Sequence, residues 1–471
     1  MTADIEELAR WDAKIQDLAL AYGLDCFEQE FELCDHHEML GYMAYSGMPA
    51  RYPHWSYGKS YERQKTLYDY GVSGLPYEMV INADPSLAYL MADNSTCLNV
   101  LTIAHVYGHN DFFKNNLTFS TTRPEFTIEM FKTHADRVRG YVEDPSIGID
   151  RVESILDAAH ALSLQCRRNQ MIRKLAPDAQ AERLIDAAAP REDPYRSLHT
   201  REEVEAPDLH RVPLEPEEDL LLFLRDYNPY LADWERDLLT IVDEETRYFL
   251  PQIETKIMNE GWASYWHYQI MTNVGLPEEL YVEFAVHHNQ VIRPHPGGLN
   301  PYHVGFKVWE DLYRRIEGDE PPDHRRATAG RDALYSARES ERDSSFLRRF
   351  LTEDLARRLG LFEFRERRGD TYVTEVADEP GFEQIRDTLV ASVGMGGVPV
   401  LRIVDADGGG HRGLVIEHAF DGRELKLEDA EKTLGHLHRL WGHEVSIRTK
   451  IGGKKTTLLL GDDGFEAKSA A

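Results

Sequence analysis

Two short segments constrain this chain more than any other part of its sequence. They are His105-Val-Tyr-Gly-His109 and, about 150 residues later, Asn259-Glu-Gly-Trp-Ala-Ser-Tyr-Trp-His267. Each is typical of an α-helix, and a helix places side chains four positions apart on one face. The two histidines of the first segment therefore converge. Glu260 of the second segment adds a carboxylate if the fold brings the two helices together.

Two imidazoles and one distant carboxylate leave a coordination position open on zinc, which a catalytic site needs. We predict that His105, His109 and Glu260 bind Zn²⁺ or another divalent transition metal; buried histidines bonded to the backbone or to carboxylates are the alternative. Asp111, Asn115 or a backbone carbonyl is expected to accept the outer imidazole hydrogen.

The residue after the first histidine raises the question of the general base. In metalloproteases with the sequence H-E-x-x-H that residue is the catalytic glutamate, whereas here it is Val106. We predict Glu78 as the replacement base, because burial in the apolar segment 77–82, a predicted strand, would raise its pKa. A buried salt bridge to Arg63 or Lys65 would give the same pattern.

Several further side chains are candidates for a catalytic role. His267 is the second choice for the base, and it lies roughly 10 Å along the helix from Glu260, too far to share one metal easily. We expect His267 to face the substrate or to lie just behind the metal ligands; a place in an aromatic core cluster is the alternative. Tyr302 and His303 are candidates for stabilising a developing oxyanion.

Two other groups offer alternative chemistry. Glu153, Asp157 and His160 share one helical face and could supply a third ligand or the base; a solvated or buried polar helix face is the preferred explanation. Cys97 follows a helix-start pattern that can lower a thiol pKa, which would suit a nucleophile.

Composition excludes some classes of function. The chain has 471 residues, a net charge of −29, and 39 arginines against 14 lysines, a pattern typical of proteins from salt-loving organisms. A basic surface for nucleic acid is absent from the sequence. No apolar run reaches the length of a membrane span, the N-terminus lacks a secretory pattern, and the four cysteines form no close pair. We expect a reduced, cytoplasmic protein that does not insert into membranes.

The order of the patterns predicts an α+β protein with two domains. Residues 1–343 are expected to form a mainly helical domain that holds the metal site, with an acidic, proline-containing connector at 177–216. A first helix is predicted over 3–33. Helix and strand patterns alternate in 344–471, which predicts a small α/β domain.

Several long segments resemble the stage V sporulation protein R (SpoVR) family. The matching stretches are Phe31-Glu-Leu-Cys34, Tyr52-Pro-His-Trp-Ser-Tyr-Gly-Lys59, Tyr61-Glu-Arg-Gln-Lys65, Tyr77-Glu-Met-Val-Ile-Asn82, residues 105–116, residues 258–267 and Asn300-Pro-Tyr-His-Val-Gly-Phe306. The resemblance implies a role linked to the spore cortex, the cell envelope or stress physiology. It also implies association with a serine protein kinase of the PrkA type and its companion protein.

A weaker resemblance connects the two helical segments to gluzincin metallopeptidases. Some of these enzymes pair an H-E-x-x-H helix with a downstream helix containing Glu-Gly-Trp-Ala, whose Glu is the third metal ligand. The resemblance implies a gluzincin-like site in which His105, His109 and Glu260 hold zinc. The sequence departs from the H-E-x-x-H pattern at Val106. The sequence is thus consistent with a metal-dependent hydrolase of amide or peptide bonds. The alternative is a non-catalytic regulatory or scaffold protein with a degenerate metal site.

Overall fold

The computed structural model describes residues 5–70, 78–169, 171–188, 206–294, 298–367, 370–376, 381–408 and 410–469. Seventeen α-helices and ten strands lie in these ranges. Helices dominate the first three quarters of the chain, and a five-stranded sheet with helices follows. The prediction of a mainly helical N-terminal domain and a small α/β C-terminal domain is confirmed.

The helices and strands are numbered in the order in which they occur along the chain. The helices are α1 (Ile5–Tyr22), α2 (His36–Ala44), α3 (Trp55–Asp69), α4 (Thr96–Asn115), α5 (Thr127–Glu143), α6 (Ile149–Leu162), α7 (Pro177–Ala188), α8 (Leu220–Tyr227), α9 (Asp233–Glu254), α10 (Lys256–Asn273), α11 (Glu278–Val291), α12 (Pro301–Glu317), α13 (Ala329–Ser340), α14 (Asp343–Phe350), α15 (Glu353–Arg358), α16 (Phe382–Ser392) and α17 (Leu427–Trp441). The strands are β1 (Gln29–Cys34), β2 (Met79–Ile81), β3 (Ser86–Met91), β4 (Phe362–Arg367), β5 (Asp370–Val376), β6 (Leu401–Gly408), β7 (Gly413–His418), β8 (Val445–Ile451), β9 (Lys454–Gly461) and β10 (Gly464–Ser469).

The chain forms two compact units, each built from two segments. The first unit comprises residues 1–140 and 247–397, and the second comprises 141–246 and 398–471. The predicted domain boundary between residues 343 and 344 stays a prediction.

Helix α4 is the centre of the first unit. From Asn99 to Phe113 each of its residues is buried, so every face of the helix contacts other elements. Its N-terminus is capped by Ser95, whose hydroxyl accepts a hydrogen bond from the N–H of Leu98. A helix buried on all sides has no amphipathic stripe, which explains why α4 and the equally buried α10 pack at the core of the unit.

A three-stranded sheet lies beside these helices in the first unit. Strand β3 is central, with β1 parallel on one side and β2 antiparallel on the other. The nearly continuous burial of β3 is typical of a strand covered on both faces. Glu78 directly precedes β2, so the sheet fixes where its side chain enters the core.

The second unit contains a five-stranded sheet in the order β10-β9-β8-β7-β6. Neighbouring strands are antiparallel except for β7 and β8, which are parallel. Helix α17 connects these two parallel strands, as a crossover connection requires. Its buried residues Leu434, Leu437 and Trp441 repeat at helical spacing and form the core of this unit.

Two sequence predictions need correction. The helix predicted over 3–33 ends at Tyr22, because Gly23 adopts a left-handed conformation that stops it, and Gln29–Cys34 forms β1 instead. The predicted connector 177–216 begins with a helix, α7, while its residues 189–205 lie outside the described residues. In the ranges that the structure describes, no helix has the length and apolarity needed to cross a membrane.

Candidate metal centre

Close contact between helix backbones brings the two motifs together. A Cβ atom added to Gly108 of α4 would lie 2.6 Å from the Cα of Ala263 in α10. One added to Gly261 would lie 2.4 Å from the Cα of Gly305 in α12. Only glycine permits such approaches, and the two glycines adjoin His109 and Glu260. Gly261 thus allows a neighbouring helix to approach closely.

The N-terminus of α10 is held by a carboxylate from another helix. Thr255 provides no side-chain cap, and Asp343 instead accepts hydrogen bonds from the N–H groups of Ile257 and Met258, each 2.9 Å long. Burial raises the pKa of Asp343 to about 7, although these two hydrogen bonds oppose the shift. The contact fixes the helix turn that precedes Glu260.

Four side chains converge between α4, α10 and the start of β2. The Nε2 atom of His105 lies 3.1 Å from Oε1 of Glu78 and 3.9 Å from Oε2 of Glu260. The Nε2 atom of His109 lies 3.7 Å and 3.5 Å from the same two oxygens. One ligand atom from each residue lies within 4.8 Å of the other three. Glu78, His105, His109 and Glu260 are called the metal cluster below.

The metal cluster is buried but not sealed. The imidazoles of His105 and His109 are 0% and 4% exposed, whereas the carboxylates of Glu78 and Glu260 are 9% and 18% exposed. Solvent therefore reaches the cluster from the carboxylate side.

The donor set suits a divalent transition metal. Imidazole nitrogens and carboxylate oxygens are ligands of zinc, iron and related metals. Oε2 of Glu78 and Oε2 of Glu260 are buried, yet neither accepts a well-aligned hydrogen bond from a described residue. Buried carboxylate oxygens are costly without a partner. A cation between the four side chains would satisfy both oxygens.

Electrostatics in the cluster differ from the sequence prediction. Burial alone would raise the pKa of Glu78, but His105 and His109 outweigh it and hold that pKa below its usual value. The raised pKa predicted for Glu78 is therefore wrong. Burial likewise opposes the shift at His109, yet Glu260 and Glu78 raise the pKa of this imidazole to about 10. The carboxylates thus hold a proton on His109, which a metal must displace.

Hydrogen bonds on the outer side of each imidazole fix the ring orientations. Nδ1 of His109 lies 2.8 Å from Oδ1 of Asn259, and Nδ1 of His105 lies 2.7 Å from Nδ1 of His267. The expected partners, Asp111 and Asn115, serve elsewhere, since Asp111 binds Arg338 and Trp262. Asn259 is not among the predicted partners, although its position directly before Glu260 on the facing helix is a signal for this contact.

His267 lies behind His105 and not among the four converging side chains. Its Nε2 atom is 2.7 Å from Nδ1 of His288 on α11. Burial, followed by His288 and His105, holds the pKa of His267 well below its usual value. The involvement of His288 was not foreseen, because α11 approaches the site only through the tertiary fold.

The remaining candidates lie at different distances from the metal cluster. The Tyr302 ring stacks on His105, with ring centroids 6.1 Å apart. His303 is half-buried near the backbone of Ile292, and burial lowers its pKa. Their catalytic roles, like those of Glu78 and His267, stay predictions.

The alternative groups do not join the cluster. Glu153, Asp157 and His160 lie on α6, outside the four converging residues. The thiol of Cys97 is buried and donates to the carbonyl oxygen of Leu280. Burial raises the pKa of this thiol to about 12, so the expectation of a lowered pKa is wrong.

Comparisons with known proteins agree with the resemblance seen in the sequence. The family model described as SpoVR like protein matches residues 2–398, and the model of the SpoVR-like C-terminal domain matches residues 399–451. The uncharacterized protein YcgB of Escherichia coli (strain K12) is 32% identical over 460 residues, which cover 92% of this chain and 90% of YcgB. No solved structure matches the chain. Convergent helical motifs and a match along nearly the whole length lead to one conclusion: this chain belongs to the SpoVR family.

Proposed function

We propose that this protein is a metal-dependent hydrolase of amide or peptide bonds. His105, His109 and Glu260 hold the metal, zinc being the first choice, and Glu78 is the general base. The observation that carries the proposal is a relocated carboxylate. Val106 is fully buried in the core, while Glu78 approaches the two imidazoles from the start of β2.

The chemistry needs a polarised carbonyl, a water and a base. A bound divalent metal polarises carbonyl oxygens and makes water a better nucleophile at neutral pH. Glu78 takes a proton from the attacking water while the water oxygen forms a bond to the carbonyl carbon. The C–N bond then breaks, and Glu78 passes the proton to the leaving nitrogen. The products are a carboxylic acid and an amine, and no electrons change hands.

Tyr302 is suited to the developing negative charge on the carbonyl oxygen. Its ring packs against His105 at the edge of the metal cluster, and a phenol can donate a hydrogen bond to such an oxygen. His303, the next residue on α12, is the second choice for this role.

The first test measures metal and activity together. Protein purified without a His-tag should contain about one divalent metal per chain, and His109→Ala should lose it. The substrate probe is a peptide mixture that includes cell-wall stem peptides, with cleavage followed by mass spectrometry. Glu78→Gln should keep the metal, and its cleavage rate should fall by about 100-fold or more. Exposed Glu30→Gln is the matched control and should cleave as the wild type does.

Two results would contradict the proposal. Metal-free protein, or a metal content that His109→Ala leaves unchanged, removes the metal site. If Glu78→Gln loses metal together with activity, Glu78 is a ligand and not the base.

A non-catalytic metal site is the second candidate, and a specific observation favours it. The ligand atoms of four residues converge, and four protein ligands close the coordination of a structural zinc site. The protein would then be a regulatory or scaffold partner of a PrkA-type serine protein kinase. Capture of that kinase at high salt by wild type, His105→Ala and Glu260→Ala alike, without hydrolysis of any peptide, would support this candidate.

A further inference from the structure

Three buried imidazoles form a continuous hydrogen-bonded chain that begins at the metal cluster. His105 contacts His267 through their Nδ1 atoms, and His267 contacts Nδ1 of His288 through its Nε2 atom; both distances are 2.7 Å. The three residues lie on α4, α10 and α11. They are 0%, 0% and 5% exposed. Such a chain is unnecessary for simple core packing, which aromatic rings would serve without the cost of burying polar nitrogens.

Hydrogen counting gives the chain a direction. A neutral imidazole carries one N–H, so each ring can donate through one nitrogen and accept through the other. If Nε2 of His105 binds a metal, its hydrogen is on Nδ1 and is donated to His267. His267 must then carry its hydrogen on Nε2 and donate to Nδ1 of His288. The hydrogen of His288 is left on its own Nε2.

Without a metal, the direction reverses. The nearest acceptor for a hydrogen on Nε2 of His105 is then Oε1 of Glu78, which lies 3.1 Å away although the contact is not a well-aligned hydrogen bond. Nδ1 of His105 becomes an acceptor, so His267 donates from Nδ1 and His288 donates from its Nδ1. Every ring in the chain changes its tautomer, although no heavy atom needs to move.

The surroundings of His288 hold the far end of the chain in place. Its ring packs against Tyr268, Phe284 and Phe306, with centroid distances of 4.8, 5.8 and 5.4 Å. Burial and, secondarily, Lys307 lower the pKa of His288 to about 4. The three aromatic neighbours hold the neutral ring of His288 with its Nδ1 facing His267.

His109 has a simpler arrangement that serves as an internal comparison. Its Nδ1 faces Oδ1 of Asn259, and an amide oxygen can only accept. One residue is therefore enough to keep a hydrogen on Nδ1 of His109. His267 can donate or accept, so it needs a second residue to fix its own state.

We propose that His267 and His288 are positioning residues that hold His105 in its metal-binding tautomer, and that metal at His105 sets the tautomers of all three rings together. The inference rests on the proposed metal site. It adds two residues to that site and assigns neither of them direct contact with substrate.

Zinc affinity, measured by competition with a chromogenic chelator, tests the positioning role. His267→Leu removes the acceptor for His105 and should weaken zinc binding about 10- to 100-fold. His267→Asn places an amide oxygen where Nδ1 was, as Asn259 does for His109, and should restore most of the affinity. His288→Leu should weaken binding in the wild type but have little further effect in the His267→Asn background.

A buried histidine elsewhere in the same unit provides the matched control. His324 is 2% exposed and bonds to the hydroxyl of Tyr265. His324→Leu should lose fold stability to a similar degree as His267→Leu while keeping wild-type zinc affinity. Equal losses of affinity in the two variants would show a merely structural role and overturn the inference.

Tautomer state is the second readout, and packing alone would not change it. In protein labelled with ¹⁵N-histidine at pH 8, NMR nitrogen shifts distinguish Nδ1–H from Nε2–H. The hydrogen of His288 should be on Nδ1 without metal and on Nε2 after one equivalent of zinc. A His288 tautomer that ignores zinc would overturn the coupling.

Zinc binding by the wild type separates a failure of the proposed function from a failure of this inference. If the wild type binds no zinc, both the proposed function and this inference are wrong. If the wild type binds zinc through His109 but His267→Leu binds it equally well, the metal site stands and only the inference falls.

Discussion

Helix α4 carries two buried polar clusters less than two turns apart, and they differ in how completely their charges are satisfied. Asp111 accepts hydrogen bonds from Arg338 and the N–H of Asp25 on Oδ1, and from Nε1 of Trp262 on Oδ2. The metal cluster has two carboxylates and two imidazoles, and one oxygen of each carboxylate lacks a well-aligned donor among the described residues. Both oxygens of Asp111 have donors in the folded chain. The two open oxygens of the metal cluster would gain a partner from a bound cation.

The contrast teaches how to separate structural charge from functional charge. A buried carboxylate with matched donors is explained by folding alone. A buried carboxylate without matched donors needs another explanation, such as a bound ligand or a role in chemistry. Without a ligand, the folded protein carries the free-energy cost of removing that carboxylate from water. Burial by itself does not distinguish the two clusters.

The largest expected effect comes from breaking the completed cluster. Arg338→Met leaves Asp111 buried without its cation and should lower the free energy of unfolding by about 3 to 5 kcal/mol. Chemical denaturation measures this loss, which should be the same with and without zinc. Arg342→Met is the control, because Arg342 pairs with Glu254 at a 44% exposed position and should lose about 1 kcal/mol or less. Equal losses in both variants would contradict the contrast.

Completing the metal cluster should have the next largest effect. Zinc at a free concentration 100 times its Kd should raise the free energy of unfolding by about 2.7 kcal/mol. Glu260→Gln should lose this gain, because an amide is a poorer ligand than a carboxylate. Thermal unfolding with and without zinc measures the difference. A zinc-induced gain that survives in both Glu260→Gln and His109→Ala would place the ion elsewhere.

Separating α4 from α10 should damage both clusters at once. Gly108→Ala forces a Cβ against the backbone at Ala263 and should cost about 1 to 3 kcal/mol in stability. Zinc affinity should fall as well, because the two histidines move away from Glu260. Gly58→Ala in α3 has open space around the new Cβ and should stabilise the protein by up to about 1 kcal/mol. Unchanged zinc affinity in Gly108→Ala would show that the backbone contact does not set the site.

The smallest expected effect concerns the cap of α10. Burial raises the folded-state pKa of Asp343 from its ordinary value of 3.8 to about 7. A raised folded-state pKa stabilises the fold at low pH, and this stability is lost as pH rises from about 4 to 7. Between pH 6 and 7 the loss should be about 1 kcal/mol. The free energy of unfolding of Asp343→Asn should fall less than that of the wild type between pH 6 and 7. An equal fall in both proteins would contradict the raised pKa of Asp343.

Much of the metal cluster could be predicted from sequence because its ligands have local signals. The i, i+4 spacing of His105 and His109 needs only a helix, and Gly261 marks a close helix contact beside Glu260. Glu78 was found for the wrong electrostatic reason, because the two imidazoles that lower its pKa belong to a segment about 30 residues away. Long-range electrostatics of this kind depend on tertiary structure.

Other features had weaker signals. β1 was predicted as helix because its polar and apolar residues continue the pattern of α1, although Gly23 separates them. His288 was visible only as one histidine in a histidine-containing run, and nothing local connects α11 to α4. Strand pairing and helix contacts of this kind carry no local periodicity.

Direct backbone contact at Gly108 has a consequence for the ion that the proposed site would accept. Gly108 of α4 touches Ala263 of α10, and no flexible side chain lies between the two backbones there to absorb a change in spacing. The spacing between the backbone that carries the two imidazoles and the backbone that carries Glu260 is therefore fixed at this contact. Two nitrogen ligands at a fixed spacing favour a small transition metal over calcium, which prefers six or more oxygens at longer distances. A residue without a side chain would thus contribute to the selectivity for the metal.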